Sequence, residues 1–214
     1  MKKIVVPQSY IDNIKKNMDV VFFNTLKDIF MRFEKHIQTH DDALLFMKKS
    51  TNDKLNDEIF GLLELFPEKR SFIYDLLYVS KYSRTKLAES LIKDVLNIGE
   101  KEVIDSSDEN NAWFFCDTLR QLKVEKFFDE YVKILNNQRL GTSRQPIIEL
   151  LSYFRKRNIN ETLLNHITDN DINGHVLEAL IKIKSPNLSD IAKTFLEDNR
   201  EWVRKLARKV TDLK

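Results

Sequence analysis

A single cysteine, Cys116, stands in this 214-residue chain. It cannot close an intramolecular disulfide, so a disulfide-stapled scaffold is excluded and a reducing, cytoplasmic setting is expected. Glycine and proline are equally scarce, four of each. That excludes collagen-like chains and leaves few turn signals for a many-stranded β fold. Neither sign of charge dominates: 35 Lys and Arg against 33 Asp and Glu leave +2, too even to imply a nucleic-acid partner from net charge. No apolar run approaches the roughly 18 residues of a membrane span. Near the N-terminus Ile4-Val5-Val6 stops at Pro7, shorter than a signal peptide's apolar core, so no leader is expected. No glycine-rich phosphate loop or serine nucleophile elbow occurs, which disfavours the common enzyme classes.

What is present is an ordinary soluble composition, 42% hydrophobic and 32% charged, with apolar residues recurring at steps of three and four. Ile11, Ile14, Met18, Phe22, Leu26, Ile29, Phe33 and Ile37 fall on one stripe. Ser9 with Asp12 offers it a capped start. Residues 9–38 are read as helical, in one helix or in two broken near 17–19. No stretch alternates with period two, and the chain is read as all-α.

A repeat underlies the remainder. Residues 158–171 overlie 187–200, with Asn158 on Asn187, Ile167 on Leu196 and Asp169-Asn170 on Asp198-Asn199. Each copy reads as a first helix ending in a polar turn before a second helix. The second helices align on Asp75, Asp117, Glu149 and Glu178. Two positions earlier stand Ile73, Phe115, Ile147 and Val176; two later, Leu77, Leu119, Leu151 and Leu180; five later, Ser80, Leu122, Phe154 and Ile183. These offsets share one helical face. Six later comes a base, Lys81, Lys123, Arg155 or Lys184, expected in the last turn at the negative end of the helix dipole. A fifth copy keeps Leu206, Val210, Leu213 and Lys214 in register around Arg208.

Spacings of 42, 32, 29 and 30 residues between these references predict stacked helical hairpins, because a lone hairpin cannot bury its apolar face. The reading is a single domain over 1–214, with an N-terminal helical cap over 1–50 and about five hairpin units over 51–214. Residues 97–111, containing Gly99 and the polar run from Asp105 to Asn111, are expected to form a surface loop.

Residues 172–184 and 202–209, the latter with Val203-Arg204 and then Ala207, resemble the second helices of HEAT-repeat α-solenoids. The likeness extends over roughly 55–214, and the family's usual first-helix proline has no counterpart. It implies a right-handed superhelix of stacked hairpins with a concave recognition surface. A narrower set, Trp113 and Asp117 one turn apart with Arg144 opening the next second helix, is similar to the HEAT-like DNA glycosylases of bacterial alkylation repair. That resemblance implies that Asp117 stabilises positive charge on the sugar as an alkylated base leaves, that Trp113 contacts the nucleotide and that Arg144 holds a phosphate. Asp117 also belongs to the acidic column repeated along the chain. Such a column reads more simply as structural, and facing a groove it would repel phosphate.

The favoured reading is a non-enzymatic module binding a macromolecule, a protein ahead of nucleic acid. Trp113, Arg120, Arg144, Tyr153, Arg155 and Arg204 are the expected contact residues, since aromatic and Arg side chains dominate interface energies. DNA contact rests on the basic C-terminal third, Arg155-Lys156-Arg157 through Lys209, where acids interleave. No cofactor, metal or membrane partner is expected. His36 and His40, one turn apart, fit a helix C-terminus better than a metal site. Cys116 lies on the apolar face as an inert thiol.

Overall fold

The three-and-four spacing folds into helices. No strand occurs among the described residues of the computed structural model, which cover the backbone of 8–80, 82–154 and 159–212 and the side chains from residue 18 onward within those ranges. Chain contacts divide the molecule into two units, Met1–Leu87 and Ala88–Lys214. The sequence shows no composition shift at that point.

The first unit holds α1 (Gln8–Arg32), α2 (His40–Lys49), α3 (Asp53–Leu65), α4 (Arg70–Val79) and the start of α5 (Arg84–Glu100). Helix α1 runs unbroken through 17–19 but ends at Arg32, so Phe33 and Ile37, expected within one helical stretch over 9–38, lie beyond it; the side chains of Ser9 and Asp12 lie outside the described residues. It packs on α3, and α4 packs on both α2 and α3. Phe22, Leu26 and Phe30 of α1 are buried, as are Met47, Leu55, Ile59, Ile73 and Leu77. His36 and His40 do not share a helix. Thr39 caps α2, its Oγ1 accepting from the Asp42 N–H while the Asp42 carboxylate accepts from the Thr39 N–H. That reciprocal pair starts a new helix at His40. The His40 ring stands among Phe22, Phe23 and Phe72, an aromatic wall rather than a helix C-terminus.

The second unit holds the rest of α5, then α6 (Ser106–Leu122), α7 (Phe128–Asn136), α8 (Gln145–Tyr153), α9 (Ile159–Leu164), α10 (Asn173–Lys182), α11 (Leu188–Lys193) and α12 (Glu201–Thr211). Helix α6 packs on α8, α8 on α10 and α10 on α12, while α7, α9 and α11 pack on α8, α10 and α12 in turn. The aligned positions make the seam of that row: Phe115, Ile147, Val176, Leu119, Leu151 and Leu180 are buried. Leu206 and Val210 are partly buried against Leu177, Phe195, Val203 and Ala207.

Two local expectations change. The expected loop over 97–111 is mostly helix. Asp105 caps α6 in a reciprocal box with Asp108, so its polar run opens a helix instead of filling a loop. Gly99 stands in the last turn of α5 where Asn137 and Leu140 occupy the space a side chain would need. The bases expected in the last turn lie beyond it. Lys123 and Lys184 adopt left-handed backbone just past α6 and α10, at φ 52° and 56°, a common helix stop that reverses the chain. Lys81 and Arg155 fall outside the described residues.

The matched polar turns share their chemistry. Asp169 Oδ1 accepts from the N–H of Asp171, and Asp198 Oδ1 from the N–H of Arg200, the Asx turn that lets a short polar side chain stand in for backbone. Each aspartate also holds a guanidinium. Arg144 Nη1 lies 2.8 Å from Asp169 Oδ2, and Arg200 Nη2 lies 2.8 Å from Asp198 Oδ2.

A candidate interaction face on helices α6, α8, α10 and α12

The apolar seam takes one side of each second helix and leaves the other outward. On α6 the outward stripe carries Trp113, Asp117, Arg120 and Gln121; on α8, Glu149 and Tyr153; on α10, His175, Glu178 and Lys182. Trp202 adds to it from the first turn of α12. Neighbouring stripes touch. Arg120 donates through Nε to Asp117 Oδ1 at 2.9 Å, and its Nη1 lies 3.3 Å from Glu149 Oε2, joining α6 to α8. Gln121 Nε2 donates to the other Asp117 oxygen at 2.8 Å. From α8 the face crosses to α10 through a cavity of about 180 Å³ lined by Glu149, Ser152, His175, Glu178, Ala179 and Lys182. It reaches α12 where the His175 and Trp202 rings approach to 5.1 Å.

Three large aromatics stay open on this surface: Trp113 is 47% exposed, Tyr153 40% and Trp202 40%. Exposing rings of that size in water is unfavourable, so grouped exposure marks a surface adapted to contact. The charges around them are mixed, and the acids outnumber no cation set decisively: Asp117, Glu149 and Glu178 stand with Arg120, Lys123 and Lys182. Interspersed acids and bases suit a protein surface better than a phosphate backbone.

The predicted residues fare unequally. Trp113, Arg120, Asp117 and Tyr153 come together on this face. Arg144 does not: its side chain is fully buried. Its Nε donates to the Gly141 carbonyl at 2.9 Å and its Nη1 to the Leu135 carbonyl and Asp169. The expected role of Arg144 as a contact or phosphate ligand is therefore corrected to a buried tie between the 138–144 turn and the turn before α10. Arg204 donates through Nη1 to the carbonyls of Asp198 and Asn199, at 2.6 Å and 2.9 Å, and so fastens the turn preceding α12. Arg155 lies outside the described residues. Cys116 is buried, and burial pushes its thiol far above the ordinary range, which leaves it no nucleophilic thiolate.

The sequence did not place Lys182, His175 or Trp202 among the expected contact residues. A signal existed for the first: Gln121, Tyr153 and Lys182 all stand four residues after their reference acid, on the same outward stripe as that acid. Among the described residues no three His, Cys, Asp or Glu side chains gather as metal ligands would, and no helix is long and apolar enough to cross a membrane.

Two histidines give this unit a pH response. His166 Nε2 lies 2.9 Å from Asn136 Oδ1. Burial first, and then the Arg144 cation, hold its imidazole below the usual 6.5. Burial likewise lowers His175, against the opposing pull of Glu178. The folded chain thus takes up these protons at lower pH than the unfolded chain. The stability they contribute is full above about 6.5 and is lost as pH falls toward the lower folded values. Urea midpoints followed by tryptophan emission are expected to drop between about pH 7.5 and 5.5, with a smaller drop in the His166→Gln/His175→Gln variant. Equal drops in both chains would show that neither ring is responsible.

No protein-family model matches this chain, and neither a curated protein nor a solved structure matches it.

Proposed function

We propose that this chain is a HEAT-like α-solenoid module, without enzymatic activity, that recognises a protein partner on the face of α6, α8, α10 and α12. The row of second helices, with α7, α9 and α11 packed on α8, α10 and α12, supports the solenoid reading. A single observation carries the functional one: Trp113, Tyr153 and Trp202 stay open on one surface while Arg120 spans two of its helices. Open aromatics beside a fixed Arg match the composition of interface anchors. Protein is favoured over nucleic acid because Asp117, Glu149 and Glu178 recur across the face and repel phosphate.

The rival reading, excision of cationic alkylated bases from DNA, draws on Trp113 and Asp117. It loses its phosphate ligand with the burial of Arg144, and its carboxylate already accepts hydrogen bonds from Arg120 and Gln121.

The test compares the immobilised chain with its Trp113→Ala/Arg120→Ala variant in extracts of its own cells, with nuclease added. Proteins retained by the parent are expected to bind the variant at least about tenfold less. Equal retention by both chains defeats the proposal. So does single-turnover base release from alkylated duplex DNA that Asp117→Asn abolishes.

A further inference from the structure

The geometry points to Tyr153, Lys123 and Lys182 as a clamp for a carboxylate side chain of the protein partner. This rests on the proposed docking face and names the chemistry of one of its contacts. Tyr153 is the last residue of α8. Lys123, just past the end of α6, brings its Nζ to 3.7 Å from the ring centre. Lys182, the last residue of α10, brings its own to 3.6 Å. Three helices thus deliver two ammonium groups to one exposed ring.

Gathering like charges in this way is costly, and among the described residues neither ammonium has a carboxylate at ion-pair distance. The ring's negative π surface offsets part of the repulsion. A bound anion would offset the rest and gain two charge-assisted hydrogen bonds. The ring is also held in place, since the Tyr153 hydroxyl donates to Glu149 Oε1 at 3.1 Å. A platform fixed before binding loses less conformational freedom when the partner arrives.

The surroundings select the kind of anion. Glu149 lies beside the ring, and Glu178 shares with Lys182 the cavity between α8 and α10. A nucleic acid strand, with a phosphate at each nucleotide, would run into both carboxylates. A single Asp or Glu side chain brings its charge to the lysines alone. The occupant is therefore a carboxylate of a protein segment.

The experiment titrates the ¹⁵N-labelled full chain with a capped decapeptide carrying two adjacent Glu in a Gly/Ser background. Its Gln counterpart and a single-stranded deoxyoligonucleotide of equal length serve as controls. The Glu peptide is expected to bind about tenfold more tightly than the Gln peptide, with shifts centred on Tyr153. Lys123→Gln and Lys182→Gln should each weaken it by a similar factor, about tenfold for a charge-assisted bond. Tyr153→Phe, which keeps the ring but loses its tie to Glu149, should bind more weakly than the parent and more tightly than either lysine variant. Glu and Gln peptides binding alike would overturn the clamp, as would tightest binding of the oligonucleotide through the same lysines. Should extract partners depend on Trp113 and Arg120 but not on the lysines, the clamp fails and the docking face stands. Should the Glu peptide bind through the lysines while no extract partner depends on the face, the anion site stands and the docking reading fails.

Discussion

Replacing Arg144 with methionine is expected to destabilise the 88–214 unit by about 3–5 kcal/mol, the usual result of removing one partner from a buried ion pair. The guanidinium is wholly buried, and the Asp169 side chain that it meets is only 14% exposed. Methionine matches the stem but leaves Asp169 charged in a poorly solvated place. It also leaves the carbonyls of Gly141 and Leu135 without their donor. Arg144→Lys restores the charge without the planar fork and should recover only part of the loss. Arg120→Ala, on a partly exposed pair, should cost no more than about 1 kcal/mol. The chain's two tryptophans, Trp113 and Trp202, both lie in the second unit, so urea unfolding followed by their emission reads that unit alone. An Arg144→Met midpoint within error of the parent would show that the buried pair carries no stability.

The same substitution at two glycines is expected to act with opposite sign. At Gly174 a Cβ would lie 2.7 Å from Cη2 of Trp202 and 2.8 Å from Cγ2 of Val203, closer than packed carbons approach. The clash falls where α10 meets α12, at a bulky indole and a buried valine. Gly174→Ala should therefore cost about 1–3 kcal/mol by overpacking, after the helix-propensity gain is included. It should also shift tryptophan emission, because the displaced ring is Trp202. At Gly61 in α3 nothing lies within 4 Å of the added carbon. There Gly61→Ala should stabilise by about 1 kcal/mol, the propensity difference in an exposed helix. Thermal unfolding by far-ultraviolet circular dichroism checks the second change. A stabilising Gly174→Ala would mean that α10 and α12 are not in tight contact.

Much of the architecture is legible in the sequence because it follows from spacing. The offsets that place Phe115, Leu119, Ile147, Leu151, Val176 and Leu180 in register recur every turn, and all six are buried. The matched Asp169-Asn170 and Asp198-Asn199 pairs are legible for a different reason. An Asx turn depends only on a short side chain and its own backbone, so equal residues make equal turns. Boundaries read less well. The stretch from Asp105 looks like a loop because it is polar, yet the reciprocal bond between Asp105 and Asp108 makes it a helix start. Lys123 and Lys184 align at their columns correctly, but alignment says nothing of the left-handed backbone that carries them past the helix end.

The outward face was half visible. Trp113, Asp117, Arg120 and Tyr153 could be placed on it from helical periodicity. The approach of Lys123 and Lys182 to one ring, and of Trp202 to His175, joins residues 27 to 30 positions apart in the chain; no local pattern encodes such pairings. Arg144 shows the limit most plainly. A charged residue at the start of a helix looks like a surface ligand, because burying a cation is costly. Only the folded chain brings Asp169, the Gly141 carbonyl and the Leu135 carbonyl around it and makes the interior tolerable. The sequence alone therefore determined the helices, their apolar side and the beat of the repeat, since each depends on neighbours within a turn or two. Which polar side chains stay in water and which are enclosed was decided by the tertiary structure, because that depends on groups distant in sequence arriving at one place.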